Sequence, residues 1–446
     1  MYRVFTRGQV TSNDTDSEPL VLLTFKKKTV DSRAIQAART INWISKEVSF
    51  MAYLKMSDVN LTNKRVLIRE DLNIPLKNGK ITSDVRIKAA IPTIKTALDA
   101  GAKVIILSHL GRPIEGTYDP QFSLEPVAEA LSQLLGQTVP LVKNWLDGVE
   151  VKKGQAVLCE NVRFNVGEKS NDETLSHKIA DLCDVYINDA FATAHRKEAS
   201  TYGVALYAKI ACAGLLMDRE LSALSNVMEN PEHPLVAIVG GSKVSTKLAL
   251  LQSIIKKVDY LIIGGGIANT FIAASGYSIG NSLYEPDLID EAEQLTELAA
   301  STGAQIPLPI DVIVAEKFSE HADAYDQSIS QIGDDEKVLD IGPETQEIYT
   351  SIIKKAKTIL WNGPVGAFEA EPFSKGTEAI AKAIAKSKAY SVAGGGDTIV
   401  AIEKYGVSDK ISYISTGGGA FLSFLEGKTL PAIEALEQSY EKAKKQ

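Results

Sequence analysis

The chain has 446 residues, more than one ordinary hydrophobic core holds, so we expect roughly two to three domains. Lysine and arginine (48) are outnumbered by aspartate and glutamate (56), and the net charge of −8 argues against a protein that binds nucleic acid. The three cysteines have no CxxC spacing, and no long apolar run predicts a transmembrane helix. We therefore expect a cytoplasmic protein that does not interact with membranes.

Residues 1–55 differ from the rest of the chain. The stretch TSNDTDSEPL is polar and acidic, which fits neither the basic start of a signal peptide nor a transit peptide. We predict that residues 1–55 are an N-terminal extension outside the fold or a mis-assigned start. Our preferred hypothesis is that the native protein begins at Met56.

From about residue 64 the chain alternates short apolar runs with helical patterns, which is typical of a parallel α/β protein. RVLI at residues 65–68 predicts a strand. An apolar stripe with helical spacing follows it, formed by Ile87, Ile91, Ile94 and Leu98. Gly101 ends this predicted helix, and KVIIL at residues 103–107 predicts the next strand.

The residues that follow each apolar run are informative, because ligands of open α/β sheets bind beyond the carboxyl ends of the strands. In the first half of the chain these endings are REDLN, SHLGR, ENVRF and NDAFATAHR. They supply polar and basic side chains: Asp71, Asn73, His109, Arg112, Arg163, His195 and Arg196. Since arginine and histidine donors suit carboxylate and phosphate oxygens, the first half predicts a site for a small polyanion.

The endings of the second half are rich in glycine. They are GGSK (240–243), GGG (264–266), WNGPVG (361–366), GGGDT (394–398) and STGGGA (415–420). Such loops let the backbone approach phosphates or a flat base, so this half predicts a nucleotide site. Lys243 and Lys247 lie one helical turn apart if a helix starts directly after the strand, and we then expect both to point toward the first half.

Two features of the chain leave alternatives open. Leu221, Leu224 and Met228 form a helical stripe before Pro231, which predicts either a helix that joins two domains or an ordinary surface helix within one domain. Asp397, at the start of a predicted helix, either caps that helix or holds Mg²⁺ together with phosphates.

The two half-sites together indicate phosphoryl transfer between a nucleotide and a small acid, a reaction that needs positioning and charge neutralisation. No carboxylate is clearly placed to orient His109 or His195 as a general base. A carboxylate acceptor needs no such base, because it is already deprotonated at neutral pH.

The segments LIREDLNIPLKNGKITSDVRI, SHLGRP, ENVRF, DAFATAHR, GGSKVSTK, WNGPVGAFE, GGGDT and STGGGA occur in the order found in phosphoglycerate kinases. Over residues 56–446 the chain resembles that family. The resemblance implies an α/β fold with two Rossmann-like parallel-sheet domains facing across a hinged cleft. It implies reversible, glycolytic transfer of a phosphoryl group from 1,3-bisphosphoglycerate to ADP, giving 3-phosphoglycerate and ATP, with Mg²⁺, in a monomer.

The resemblance also implies domain bounds and site residues. The implied parts are a phosphoglycerate-binding domain at 56–218, a linking helix at 219–234, a nucleotide-binding domain at 235–426 and a segment at 427–446 that returns to the first domain. The implied phosphoglycerate ligands are Asp71, Asn73, Arg86, His109, Arg112, Arg163 and Arg196. The implied nucleotide ligands are Lys247, Asn362, Glu369, Gly395, Gly396, Asp397 and Thr398.

Within these sets the resemblance implies specific roles. Arg86 neutralises the acyl phosphate in the transition state, and Lys243 accompanies the transferred phosphoryl group. Glu369 holds the ribose and Asp397 holds Mg²⁺.

Some positions depart from the usual family pattern: Glu70, Leu72, Ala192 and Glu198. Glu198 stands where histidine is usual and is expected to weaken the basic site. Two alternatives therefore stay open at this point. One is a kinase of the same architecture that acts on another carboxylic acid, and the other is a binding protein that keeps both half-sites without turnover.

Overall fold

Two parallel sheets carry the part of the chain that the computed structural model describes, residues 52–445. The first sheet and a short hairpin contain β1 (Leu54–Lys55), β2 (Arg65–Arg69), β3 (Leu76–Lys77), β4 (Lys80–Ile81), β5 (Lys103–Leu107), β6 (Leu141–Val142), β7 (Ala156–Cys159), β8 (Val185–Asn188) and β9 (Ala211–Ala213). The sheet order is β1-β9-β8-β2-β5-β7-β6 and every pairing is parallel, whereas β3 and β4 form the antiparallel hairpin.

The second parallel sheet has the order β11-β10-β15-β16-β17. Its strands are β10 (Leu235–Gly240), β11 (Tyr260–Gly264), β15 (Thr358–Asn362), β16 (Tyr390–Gly394) and β17 (Tyr413–Ser415). An antiparallel three-stranded sheet beside it contains β12 (Asp311–Ala315), β13 (Tyr325–Ser328) and β14 (Lys337–Ile341).

Helices cover the sheets. Those that follow strands of the first sheet are α1 (Val85–Asp99), α2 (Glu125–Leu135), α3 (Glu173–Ala180), α4 (Val204–Tyr207) and α5 (Leu215–Met228). The later helices are α6 (Leu248–Ile254), α7 (Gly266–Ala274), α8 (Ile289–Thr302), α9 (Pro343–Lys355), α10 (Lys375–Lys386), α11 (Gly396–Lys404), α12 (Gly419–Leu425) and α13 (Pro431–Ala443).

Burial explains why these segments form strands and helices. The strand β10 is buried at all six residues, as expected of a parallel strand that is covered on both faces. In α1, Ile87 and Ile94 are fully buried, and Ile91 and Leu98 pack against the same core from its edge. The predicted α/β fold class with parallel sheets is therefore confirmed.

The fold begins before residue 56. Leu54 pairs with Cys212 and Lys55 with Ala213, so this short strand forms the edge of the first sheet. The Tyr53 hydroxyl donates to Asp218 Oδ1 at 2.9 Å, and Lys55 Nζ lies 3.1 Å from the same oxygen. The predicted end of the N-terminal extension at residue 55 is therefore too late, because it excludes β1 from the fold. A strand of two residues is too short to give a sequence pattern. Residues 1–51 of the predicted extension lie outside the described residues.

The helix α5 contacts elements of both halves of the chain. It packs against α1 of the first half and against β15, β16 and α12 of the second. Its predicted stripe is buried at Leu221, Leu224 and Met228, but the helix starts at Leu215 rather than at residue 219. The start is earlier because the Asp189 side chain accepts a hydrogen bond from Met217 N at 2.9 Å.

The last helix, α13, lies against α4 and β9 of the first half of the chain. Ala432 N donates to Ala194 O at 3.1 Å, which ties the start of α13 to the loop that carries His195 and Arg196. Between residues 52 and 445, none of the helices combines the length and the apolar character needed to cross a membrane.

Candidate active site

Four neighbouring strands of the first sheet, β8, β2, β5 and β7, end at the same edge because they are parallel. The predicted polyanion ligands follow these ends: Asp71, Asn73, His109, Arg112, Arg163, His195 and Arg196. Hydrogen bonds join their loops. The Asn73 side-chain oxygen accepts from Gly111 N at 2.9 Å, and Arg163 Nη1 donates to Gly111 O at 2.8 Å.

Arg86 joins this group from a helix. It lies in the first turn of α1, where its Nη1 donates to Asp71 Oδ2 at 2.7 Å and to the Asn73 backbone oxygen at 3.1 Å. Asp71 is buried, so the ion pair fixes the direction of the guanidinium group. Strand ends alone do not reveal Arg86, because it belongs to the start of a helix. Only the family resemblance pointed to it.

Arg163 and Arg196 share one carboxylate, that of Glu198. Arg163 Nη2 donates to Glu198 Oε1 at 2.9 Å, and Arg196 Nη1 lies 3.9 Å from the same oxygen. Arg163 sits in a 3₁₀ turn, Val162–Phe164, whose start is capped by the side chain of Asn161. The pair Arg163–Glu198 is almost completely buried.

His109 is neutral in this environment. Its pKa lies well below the usual value because the ring is buried and because Arg69, Arg163 and other arginines add positive charge around it. Arg69 Nη2 lies 3.3 Å from His109 Nδ1. Since a guanidinium group can only donate, Nδ1 accepts and the proton of the neutral ring belongs on Nε2. His109 is therefore arranged as a hydrogen-bond donor through Nε2.

A second layer beneath these residues was missed by the sequence reasoning. The buried Arg69 donates through Nε to Ser200 Oγ at 2.9 Å, and Ser200 in turn bonds to the buried Glu168. Burial raises the pKa of Glu168 to about 7. The signal in the sequence is the arginine that ends the apolar run RVLIR, a position where a buried charge requires partners.

His195 lies between the first and second halves of the chain. Its ring is 3.3 Å from the position that a Cβ on Gly419 would occupy, so the glycine allows the close approach. Arg196 Nε is 3.3 Å from His195 Nε2. Burial and the charge of Arg196 lower the pKa of His195.

In the second half, a hydrogen-bond network connects several predicted nucleotide ligands. Lys247 Nζ donates to Asn362 Oδ1, and Asn362 Nδ2 donates to Gly394 O at 2.7 Å. Thr398 Oγ1 donates to the same oxygen at 3.0 Å and accepts from Gly363 N at 2.8 Å. Burial lowers the pKa of Lys247, and the Asp397 carboxylate opposes this effect.

The two lysines of GGSKVSTK are not on one helical turn, so that expectation is wrong. The helix α6 begins only at Leu248, and Lys243 lies in the loop before it. The loop residues before Leu248 are not helical, and Ser245 N and Oγ in this loop instead donate to the Glu285 side chain, at 2.8 and 2.6 Å. Lys243 is exposed, whereas Lys247 is partly buried.

The predicted ligands Asp397 and Glu369 are both exposed. Asp397 is in the first turn of α11, but the residue at the cap position is Gly395, with φ +103°, so the capping role of Asp397 is not supported. Among residues 52–445, neither Lys243 nor Glu369 forms a side-chain hydrogen bond with another predicted ligand. Within the same range there is no group of three or more metal-binding side chains. A single carboxylate suits Mg²⁺ that is held mainly by phosphates.

A family model described as phosphoglycerate kinase matches residues 56–428. The chain belongs to the phosphoglycerate kinase family. It is 59% identical over 388 residues to the phosphoglycerate kinase of Nitratidesulfovibrio vulgaris, covering 87% of this chain and 99% of that protein. It has the same identity and coverage with a phosphoglycerate kinase of Francisella tularensis subsp. holarctica.

Solved structures agree with this assignment. The structure of phosphoglycerate kinase from Coxiella burnetii matches with a TM-score of 0.85 and 57% identity, covering 87% of this chain and 99% of that one. The enzyme from Pyrococcus horikoshii matches with a TM-score of 0.72 and 35% identity, covering 87% of this chain and 100% of that one. The resemblance found in the sequence is confirmed, and with it the prediction of a phosphotransferase that acts on a carboxyl group. The two alternatives are not favoured.

Proposed function

We propose that this chain transfers a phosphoryl group between 1,3-bisphosphoglycerate and ADP, reversibly, by charge neutralisation and without a general base. The observation that supports this most strongly is the set of arginines that follow three of the four adjacent strand ends of the first sheet, together with Arg86, which is paired to Asp71 at 2.7 Å beyond the fourth. A neutral, donating His109 within this group fits a binding role better than proton transfer.

In the proposed complex, phosphoglycerate is held by Asp71, Asn73, Arg86, His109, Arg112, Arg163 and Arg196. Arg86 uses Nη1 for Asp71 and Asn73. Its Nη2 and Nε form the other edge of the fork, which can take two oxygens of an acyl phosphate. Asp71 is thus proposed to orient Arg86 rather than to meet the substrate alone.

The nucleotide is proposed to be held by Lys247, Asn362, Glu369, Gly395, Gly396, Asp397 and Thr398. The contacts in the second half refine these roles. Asn362 and Thr398 already use their side chains to hold loops together, so we propose that Asn362 positions Lys247. The phosphates then meet the backbone N–H groups at the start of α11, where Gly396 has open space around it.

The chemical step follows from these positions. In the direction of acyl phosphate formation, a carboxylate oxygen of 3-phosphoglycerate attacks the γ-phosphorus of ATP. The bond from that phosphorus to the oxygen shared with the β-phosphate breaks, and ADP leaves with the electron pair. Arg86 and Lys243 stabilise the charge on the transferred group. Mg²⁺, which Asp397 would help to hold, supplies further charge neutralisation at the nucleotide phosphates.

We further propose that the protein is a cytoplasmic monomer that takes part in glycolysis, with the nucleotide-binding domain at 235–426 and a linking helix at its start. The packing of α5 against α1 of the first half and against β15 and β16 of the second sheet, and of α13 against the first half of the chain, supports this division. With β1 included, the first domain begins near residue 52.

The test is formation of ADP from Mg·ATP in the presence of 3-phosphoglycerate, measured with a coupled assay on the full chain. A panel of other small carboxylic acids serves as the comparison. We expect 3-phosphoglycerate to give by far the highest kcat/KM. Equal or better turnover of another acid would refute the proposed substrate, and absence of turnover with every acid would refute the proposed activity.

A further inference from the structure

An acidic side chain lies inside the basic site. We call Arg163 and Arg196 the arginine pair. The carboxylate of Glu198 contacts both members, at 2.9 Å from Arg163 Nη2 and 3.9 Å from Arg196 Nη1. Its side chain is only 7% exposed, whereas that of Arg196 is 36% exposed. The negative charge is therefore buried, whereas Arg196 is partly accessible to an incoming anion.

The backbone directs Glu198 to this position. Glu198 immediately precedes a π-helical turn, Ala199–Gly203, and its carbonyl oxygen accepts from Tyr202 N at 2.8 Å and from Thr201 N at 3.2 Å. Single π turns are frequently found at functional sites. The side chain is thus aimed at the arginine pair by the turn that follows it.

Packing alone does not explain the presence of this carboxylate. Glu198 Oε2 is buried and receives no hydrogen bond from any residue between 52 and 445, and the same holds for Arg163 Nε as a donor. Arg163 also has other contacts that hold it, because its Nη1 donates to Gly111 O and its backbone N donates to the Asn161 side chain. One oxygen of the Glu198 carboxylate, Oε2, therefore adds negative charge to the site without accepting a hydrogen bond from residues 52–445.

The charge has a direct consequence for an incoming phosphate. Arg163 Nη1 and Nη2 already donate to Gly111 O and Glu198 Oε1, and Nε is buried, so Arg163 offers an incoming phosphate fewer accessible N–H groups than an unpaired arginine would. The carboxylate also repels the dianion across a short distance in a poorly hydrated region, where charges interact strongly. Both effects weaken binding of a phosphate group by the arginine pair.

We propose that Glu198 is a built-in counter-anion that lowers the affinity of the arginine pair for the non-reacting phosphate of the substrate. This inference rests on the proposed function for its substrate, but not for its test. A phosphate that does not react is bound equally in the ground state and in the transition state, so its affinity sets KM and does not raise kcat. Glu198 thereby acts as a positioning residue that keeps substrate and product exchange fast.

The variant Glu198→Gln tests the charge alone. Its amide oxygen can still accept from Arg163 Nη2, and the amide nitrogen replaces Oε2, which accepts no hydrogen bond in the described part of the chain. Removing the unit charge of Glu198, which contacts both arginines, is expected to tighten binding of inorganic phosphate about tenfold or more. Calorimetry on the full chain without nucleotide measures this affinity. KM for 3-phosphoglycerate should fall by a similar factor while kcat does not increase.

Two further variants complete the experiment. Glu198→His also removes the negative charge and places the family's usual residue at this position, so it replaces Glu198→Gln if that variant does not fold. Glu129→Gln, at an exposed position of α2, changes the net charge equally and should leave phosphate binding at the level of the parent chain.

The outcomes separate this inference from the proposed function. Phosphate binding that is unchanged or weaker in a folded, charge-neutral variant overturns the inference and makes Glu198 a support for Arg163. Equal tightening in Glu129→Gln also overturns it, because net charge would then be the cause. Tighter phosphate binding without any turnover of 3-phosphoglycerate supports the counter-anion and refutes only the proposed activity.

Discussion

Replacing Glu70 by valine is expected to stabilise the protein. Glu70 follows β2 and is fully buried, and neither of its carboxyl oxygens receives a hydrogen bond from residues 52–445. The register of β2 and β8 places it beside Asp189, because Arg69 pairs with Asn188 one residue earlier. Asp189 Oδ2 is also buried without a partner in the same range. Glu70 and Asp189 are therefore neighbouring carboxyl groups that are both buried.

The magnitude follows from the missing bonds. Leaving a buried polar group unsatisfied costs about 1–3 kcal/mol, and valine fills a volume similar to that of glutamate without polar atoms. We therefore expect Glu70→Val to raise the free energy of unfolding by about 1–3 kcal/mol near neutral pH. Few substitutions of a fully buried residue are expected to stabilise a protein, which makes the prediction specific.

The stability gained by Glu70→Val is expected to increase with pH. Burial, and then the charge of Asp189, raise the pKa of Glu70 well above its usual value, while Arg69 opposes them and Asp71 adds to them. The folded chain thus holds a proton that the unfolded chain releases above pH about 4.5. Stability of the parent falls as the pH rises from there toward the folded pKa, and Glu70→Val lacks this loss. The advantage of the variant should therefore be larger at pH 8 than at pH 5.

Urea unfolding at pH 5 and pH 8, followed by tryptophan fluorescence, measures this difference. Trp145 is buried in a 3₁₀ turn against the core of the first half, and Trp361 is buried within β15 of the second sheet, so the signal reports on both parts of the fold. Glu129→Val on the surface of α2 is the control and should show no gain. A variant that is less stable than the parent at pH 8, or an advantage that shrinks with rising pH, would refute the reasoning.

Three further changes test other parts of the structure. Arg86→Ala should lower kcat about 10³-fold or more in the coupled assay, because charge stabilisation of the transferred group is lost. A chain that starts at Met56 lacks β1 and the Tyr53 contact, and should unfold about 2–4 °C below a chain that starts at Met51 in a thermal scan. Asn362→Ala should raise KM for ATP about tenfold, with little change in KM for 3-phosphoglycerate, because Lys247 loses its buried partner.

Each of these changes has a control. Lys88→Ala removes an exposed basic side chain from the same helix as Arg86 and should keep kcat, so an equal loss in both variants speaks against the role of Arg86. Identical unfolding temperatures of the two shortened chains would show that β1 adds no stability. Asn281→Ala alters an exposed asparagine and should leave both KM values unchanged. If Asn362→Ala instead raised KM for ATP and KM for 3-phosphoglycerate equally, the assignment of Asn362 to the nucleotide site would be contradicted.

The sequence predicts the parallel α/β fold because strand and helix patterns alternate clearly, and it groups the basic residues because parallel strands end at one edge of a sheet. It does not predict side-chain direction. The spacing of Lys243 and Lys247 indicated one helical turn, but bonds from Ser245 to Glu285 delay the helix. The contact of Glu198 with the arginine pair depends on a π turn that no periodicity announces.

Short and buried features were also beyond sequence reasoning. The strand β1 has two residues, too few for a period, and is recognised only by its pairing with β9. Arg69 and Glu168 are connected through Ser200. These three residues lie far apart in the sequence, so no local pattern predicts that they come together. The cap of α11 is Gly395 rather than Asp397, a difference of two residues that backbone angles decide.

The most direct test of phosphoryl transfer to a carboxylate is ³¹P NMR of the full chain with Mg·ATP and 3-phosphoglycerate. We expect a new acyl phosphate resonance to appear together with ADP, and to form about 10³-fold more slowly when Arg86 is replaced by alanine. Formation of ADP with inorganic phosphate and no acyl phosphate would contradict the proposed reaction, because the phosphoryl group would then have been transferred to water.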